Sequence, residues 1–172
     1  MGVQDFGVNE FFYSLVMPWI LARDFKEVTI ITKNVEISSA PEVVYELIMD
    51  VEKLSEYSSV IAEIKKIDND LYRWKAHIHG LWFNWESTFT KNEKPSYISW
   101  RSVTGLKNEG YFNIEPHNNG SKVTFQMEYH FFSILLEKSL QITIEPLIEN
   151  TFVEILTNIK SKLEEDSLKS NS

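Results

Sequence analysis

Four histidines are the first candidates for metal or acid–base chemistry in this chain of 172 residues. His77 and His79 are two positions apart in a strand-like segment, so both side chains lie on one side of it, as paired metal ligands would. Alternation along that segment puts them opposite its apolar residues, on the outer face. His130 has the same outward parity in its own segment, and His117 falls at a hairpin turn. We therefore expect no metal site and no catalytic histidine.

The other chemistry-bearing residues do not form a catalytic motif. Glu86, Glu115 and Glu128 have outward parity, and the acidic run 164–166 fits a solvated helix end. The sequence has no Gly-rich phosphate loop, no serine nucleophile elbow and no His-Glu-x-x-His pattern. It has no cysteine, which excludes thiol catalysis, disulfides and cysteine metal sites. The sequence predicts no catalytic residue and no cofactor.

The inner face of the strands is instead strongly aromatic. Strand alternation places a set of mostly large apolar side chains on this face, and helical spacing adds one from the C-terminal helix. The residues predicted to bind a ligand are Tyr72, Trp74, Ile78, Trp85, Ser87, Phe89, Trp100, Phe112, Ile114, Phe125, Met127, Tyr129 and Phe152.

This aromatic face has two interpretations. Apolar stripes usually fill a core, and the residues alone favour that interpretation. Alternatively, bulky rings on a strongly curved sheet leave a gap for an apolar or aromatic ligand. In that case Tyr72, Tyr129 and Ser87 are the expected polar groups of the site, with Tyr45 and Tyr57 at its mouth.

The predicted elements are one strand, a short helical region, six further strands and a long helix. Ser39 is expected to cap the first helix and Pro41 suits its first turn. Pro146 is expected to kink or restart a helix that continues to about Leu163, and 133–145 also fits a helix. The predicted strands lie near 28–37, 60–67, 70–79, 82–93, 96–103, 109–116 and 121–131, with turns at 69–70, 80, 94–95 and 118–120.

Composition limits the class of protein. The length and the hydrophobic content of 43% fit one domain, predicted over 26–165, with a disordered polar tail over 166–172. A formal net charge of −8 with scattered lysines argues against a nucleic-acid partner. Nothing near the N-terminus resembles a secretion signal, which predicts a cytoplasmic location.

The order of several motifs resembles one protein family. The segments 37–57, 98–102, 110–116 and 120–124, with Gly105 and Tyr129, resemble the polyketide cyclase/dehydrase or coenzyme-Q-binding branch of the START-like (SRPBCC, helix-grip) superfamily. The resemblance covers roughly residues 28–164. It implies an α+β helix-grip fold: a seven-stranded curved antiparallel sheet wrapped around a long C-terminal helix, with two short helices after the first strand. A hydrophobic ligand tunnel would lie between sheet and helix.

The resemblance leaves three functions open. A polyketide cyclase/dehydrase needs several inward polar residues to orient a reactive chain, and this sequence offers few. A carrier or sensor of a lipid-like, quinone, isoprenoid or polycyclic molecule needs chiefly apolar area. We therefore expect ligand binding or transport, with the enzyme as the alternative. A co-chaperone-like role through a protein surface is the third class.

An apolar segment precedes this domain. Residues 1–25 are predicted to form an extra helix whose apolar face includes Phe12, Leu15 and Trp19. It is too short to span a bilayer, which takes about 20 apolar residues. A lid over the tunnel, a homodimer contact and a membrane-surface anchor all fit. The first two are favoured because only Arg23 and Lys26 follow as basic residues.

Overall fold

The computed structural model describes residues 28–78, 80–130 and 145–170. Ten elements lie in this part of the chain. In order they are β1 (Val28–Ile37), α1 (Pro41–Met49), a 3-10 helix (Val51–Tyr57), β2 (Ile61–Asp68), β3 (Leu71–Ile78), β4 (Leu81–Glu93), β5 (Tyr97–Gly105), β6 (Lys107–His117), β7 (Gly120–His130) and α2 (Glu145–Ser170).

The seven strands form one curved antiparallel sheet in the order β1-β7-β6-β5-β4-β3-β2. Strands β2 to β6 are each paired with the next strand in the chain. Strand β1 instead pairs with β7 along its whole length, from Val28 opposite His130 to Ile37 opposite Ser121. Helix α2 contacts β1 and the 3-10 helix. This arrangement confirms the predicted α+β helix-grip fold.

The turn from β1 into α1 differs from the prediction in one detail. Ala40, not Ser39, is the N-cap residue, and no side chain caps the helix. The Ala40 carbonyl accepts hydrogen bonds from the first helical turn. Ser39 is used otherwise, because its carbonyl accepts a hydrogen bond of 2.6 Å from Ser121 Oγ. Pro41 does occupy the first turn, where its missing N–H has no cost.

The predicted turns between strands are confirmed. Asp70 and Asn118 have φ of 55° and 50°, and Gly80 has φ of 85°. Asn, Asp and Gly tolerate this left-handed region best, so the turn residues match their conformations.

The described part of helix α2 begins at Glu145 and includes Pro146. That the helix kinks or restarts at Pro146 stays a prediction, because residues 131–144 lie outside the described ranges. The helix continues to Ser170, past the position where the sequence predicts a disordered tail. Pairs one turn apart support this extension. Lys162 Nζ lies 3.1 Å from Asp166 Oδ1, and Lys160 Nζ lies 3.9 Å from Glu164 Oε1.

Several predictions concern residues outside the described ranges. These are the N-terminal helix within 1–25, the helical stretch over 133–144, His79 and the last two residues.

Candidate functional site

A cavity of about 50 Å³ lies between the concave face of the sheet and the helices. The 3-10 helix, α1 and α2 close one side of it, and strands β3 to β7 form the other. The lining residues among those described are Ile48, Val51, Leu54, Tyr72, Trp74, Trp85, Ser87, Thr88, Phe89, Ile98, Trp100, Asn108, Phe112, Met127, Phe152 and Ile155.

The structure brings together nine of the thirteen residues predicted to bind a ligand. The nine that line the cavity are Tyr72, Trp74, Trp85, Ser87, Phe89, Trp100, Phe112, Met127 and Phe152. Their shared position follows from strand alternation and from the spacing along α2. That they contact a ligand stays a prediction.

Phe125 faces inward as predicted but lies behind the lining. Its side chain is 0% exposed. Its ring centroid is 4.4 Å from that of Phe152, 5.2 Å from that of Phe112 and 5.9 Å from that of Trp100. Three lining rings therefore cover it, and Phe125 supports the wall from behind.

Ile78, Ile114 and Tyr129 do not line the cavity either. Ile114 and Tyr129 are buried in the core, and Ile78 is the last residue of β3. Alternation assigns a side chain to a face of the sheet, but it does not give its position along the cavity. These three residues lie on the predicted face of the sheet but outside the part of it that lines the cavity.

Seven lining residues were not among the predicted site residues. Ile98 and Ile155 have inward parity in the sequence. Whether the residues of α1 and the 3-10 helix line the cavity depends on how these helices pack on the sheet. Asn108 was missed because the strand was predicted to begin at 109. The seven are Ile48, Val51, Leu54, Thr88, Ile98, Asn108 and Ile155.

Paired aromatic rings form most of the wall. Trp74 and Trp85, opposite each other on β3 and β4, stack with centroids 5.6 Å apart and an interplanar angle of 11°. Tyr72 and Phe89 meet edge to face at 5.6 Å. Such pairs add about 0.5–1.5 kcal/mol beyond the area they bury, so the wall is held in place by its own contacts.

The indole N–H groups of two lining tryptophans are bonded within the wall. Trp74 Nε1 donates to Ser87 Oγ at 2.7 Å, and Trp100 Nε1 donates to Asn108 Oδ1 at 3.1 Å. Ser87 and Asn108 are buried polar residues, 4% and 5% exposed. Together with Tyr72 and Thr88, they are the polar residues of the described lining.

The tyrosines expected at the mouth have other positions. Tyr45 is buried, and its hydroxyl donates to Asn92 Oδ1. The backbone carbonyl of Tyr57 accepts a hydrogen bond of 2.9 Å from Asn158 Nδ2. Neither side chain lines the cavity.

Gly110 makes room for one wall residue. It lies opposite Trp100 in the pairing of β5 with β6. A Cβ at this position would be 2.7 Å from Trp100 Cζ2 and 2.3 Å from the carbonyl oxygen of Gln126. The close approach of ring and backbone requires glycine here.

No charged side chain is among the described residues that line the cavity. Ion pairs lie on the outside, such as Arg73 with Glu86 at 2.7 Å. A hydrogen bond to Glu46 raises the pKa of the exposed Lys94 ammonium, and Asp166 raises the pKa of Lys162 in the same way. The charged side chains of the described residues are therefore not part of the cavity lining.

The described histidine side chains lie outside the cavity. His77 is exposed and stacks on Trp82 with centroids 4.5 Å apart, and His117 Nε2 lies 3.3 Å from Glu36 Oε1. No group of three His, Cys, Asp or Glu residues within the described ranges could hold a metal ion. That the chain binds no metal stays a prediction. In the same ranges, no helix combines the length and apolarity needed to cross a membrane.

Comparison with known proteins gives a family and a fold. Residues 28–164 match the family model described as polyketide cyclase/dehydrase and lipid transport. A comparison with curated proteins found no match. Among solved structures, the Zhui aromatase/cyclase from Streptomyces sp. R1128 is 12% identical, with a TM-score of 0.66 over 80% of this chain and 94% of that one.

Two further structures share the fold. A START superfamily protein from Mycobacterium smegmatis is 14% identical, with a TM-score of 0.59 over 83% of this chain and 99% of that one. The major latex-like protein 151 from Panax ginseng is 10% identical, with a TM-score of 0.60 over 78% and 97%. The family match spans most of the sequence and all seven strands. The chain therefore belongs to the polyketide cyclase/dehydrase and lipid transport family.

Proposed function

We propose that this protein binds a hydrophobic small molecule in the aromatic cavity and acts as a carrier or sensor, not as an enzyme. The ligand is lipid-like, quinone, isoprenoid or polycyclic in character. The observation that carries this proposal is the uncharged lining, in which aromatic and aliphatic side chains surround only a few polar groups. Ligand pockets typically have this composition.

Binding such a ligand requires the cavity to open. At about 50 Å³ the cavity has room for a few waters, whereas ligand pockets measure about 300–1,000 Å³. Phe152 is the side chain best placed to move, because it is only half-buried and comes from helix α2. Its ring stacks on that of Phe125, and the two rings would separate when the cavity opens.

The alternative is a polyketide cyclase/dehydrase that uses the same cavity. The family description and the fold of the Zhui aromatase/cyclase favour it. Catalysis of this kind needs a positioned acid or base near the reacting carbonyls. The described lining offers Tyr72, Ser87, Thr88 and Asn108 but no carboxylate, histidine or cation. The binding function therefore has the stronger support.

Binding of a neutral fluorescent probe, N-phenyl-1-naphthylamine, tests the proposal. Trp85 lines the cavity, whereas Trp82 is 54% exposed on the same strand and serves as a matched control. We expect Trp85→Ala to weaken binding strongly and Trp82→Ala to leave it unchanged. Equal effects of the two substitutions, with both variants folded, would contradict the proposed site.

A second experiment separates carrier from enzyme. Protein purified from its source is analysed by native mass spectrometry and then extracted with organic solvent. A bound quinone or terpenoid supports the carrier. Protein that cyclises a poly-β-ketone in solution supports the enzyme and contradicts our proposal.

The remaining parts of the proposal concern location and partners. We place the protein in the cytoplasm, without a nucleic-acid partner, in keeping with its net charge of −8. The apolar segment within 1–25 would cover the cavity or form a homodimer contact. Contact with a membrane surface is the less favoured role for this segment.

A further inference from the structure

Ser87 keeps a hydrogen-bond donor that no described residue accepts. An indole N–H can only donate, so Ser87 Oγ must be the acceptor in its bond with Trp74 Nε1. The hydroxyl proton of Ser87 then remains to be donated. Within the described ranges, Trp74 is the sole hydrogen-bond partner of this side chain, which is 4% exposed. Because Ser87 lines the cavity, a ligand bound there could accept this proton.

Asn108 is in the same situation. The Trp100 indole N–H donates to its Oδ1, and this fixes the orientation of the amide. Asn108 Nδ2 carries two hydrogens and donates one of them to the Leu106 carbonyl at 2.8 Å. The second N–H has no acceptor among the described residues, and the side chain is 5% exposed.

The two donors are the end members of a row of three polar residues on adjacent strands. Ser87 on β4 is paired with Ser102 on β5. Ser102 Oγ accepts a hydrogen bond of 3.0 Å from the backbone N–H of Asn108 on β6. Ser87 and Asn108, at the two ends of the row, line the cavity, whereas Ser102 is not among the described lining residues. Buried donors without an acceptor are costly, so an acceptor atom of a ligand would be favoured here.

Building on the proposed binding function, we infer that the ligand is a neutral apolar molecule with a carbonyl oxygen, such as a ketone or quinone. A carbonyl oxygen accepts a hydrogen bond from Ser87 Oγ, and Asn108 Nδ2, two strands away on β6, is left for a second acceptor atom. The rings or chain of the ligand lie against the stacked Trp74 and Trp85. A carboxylate is disfavoured, because no cation among the described lining residues would compensate its charge.

A matched pair of small probes tests this inference. Indane and 1-indanone differ at one carbon, which carries the carbonyl oxygen in the ketone, and their affinities are measured by displacement of N-phenyl-1-naphthylamine. We expect Ser87→Ala to weaken 1-indanone binding about fivefold, the usual worth of one hydrogen bond. Indane binding should stay within about twofold, since it has no acceptor.

A second pair of variants separates the loss of the Ser87 hydroxyl from its effect on the Trp74 indole. Ser87→Ala leaves Trp74 Nε1 without its acceptor, which costs stability. The variant Trp74→Phe is therefore compared with the double variant Trp74→Phe/Ser87→Ala. These two proteins differ only in the Ser87 hydroxyl, and neither has an indole N–H that needs this hydroxyl as its acceptor. The ketone-specific loss should persist in this comparison.

The outcomes distinguish the two proposals. If wild type binds both probes and loss of the hydroxyl weakens them equally or not at all, the carbonyl inference is overturned and the binding function stands. If wild type binds neither probe and no fluorescent probe, both are overturned. A ketone-specific loss in both backgrounds supports the inference.

Discussion

Replacement of Phe152 by alanine should lower stability and yet strengthen ligand binding. A fully buried Phe→Ala change costs about 3–5 kcal/mol, and since Phe152 is half-buried we expect about 2 kcal/mol. Its ring stacks on Phe125 at 4.4 Å, and a ligand larger than the cavity must first break that contact. The pair is worth about 0.5–1.5 kcal/mol, so its removal should raise affinity about 2- to 12-fold.

Urea denaturation and titration with N-phenyl-1-naphthylamine measure the two effects on the same variant. Val153→Ala is the matched control, because Val153 is the next residue of α2 and is exposed. We expect this control to change stability by less than about 0.5 kcal/mol and affinity not at all. If the affinity of Phe152→Ala for the probe falls together with its stability, or stays at the wild-type value, the idea that Phe152 restricts the cavity is refuted.

Four further predictions follow from the described geometry and from the sequence. Gly110→Ala should destabilise the fold by about 1–3 kcal/mol and weaken probe binding, because the new Cβ displaces Trp100 towards the cavity; wild-type values in both assays would contradict this. Binding of a neutral probe should be constant between about pH 5.5 and 8.5, since no carboxylate, histidine or amine is among the described lining residues, and a titration in that range would point to an acid–base group. Replacing His77 and His79 together should change stability by less than about 0.5 kcal/mol. If the wild type retains zinc through purification and this variant does not, the prediction that these histidines bind no metal is wrong. Deleting residues 1–24 should leave a folded domain that aggregates or leaks ligand, whereas flotation of only the full chain with liposomes would support a membrane anchor.

The strands and the turns between them could be predicted from the sequence because their signals are local, whereas the helix-grip arrangement was implied by the family resemblance. Alternation defined the inner face of the strands, and Asp70, Gly80 and Asn118 marked the turns between them. Each of these signals depends on a few neighbouring residues, so tertiary packing did not override them.

The cavity was predicted less completely, because its lining depends on packing between distant elements. Phe125 has the expected parity, yet rings from three other elements cover it. Asn108 is part of the wall only because β6 begins earlier than its apolar pattern indicates. The residues of α1 and the 3-10 helix join the lining through the way these helices close over the sheet.

The pairing of β1 with β7 has a consequence for biosynthesis. Thr124 Oγ1 donates to Asn34 Oδ1 across 90 positions of the chain, so the first strand finds its partner only after nearly the whole domain has left the ribosome. The hairpins from β2 to β6 join neighbouring strands and can form earlier. Until α2 emerges, their tryptophan-rich face lacks part of its cover. Translation speed and chaperone supply should therefore affect the yield of this protein more than its final stability would indicate.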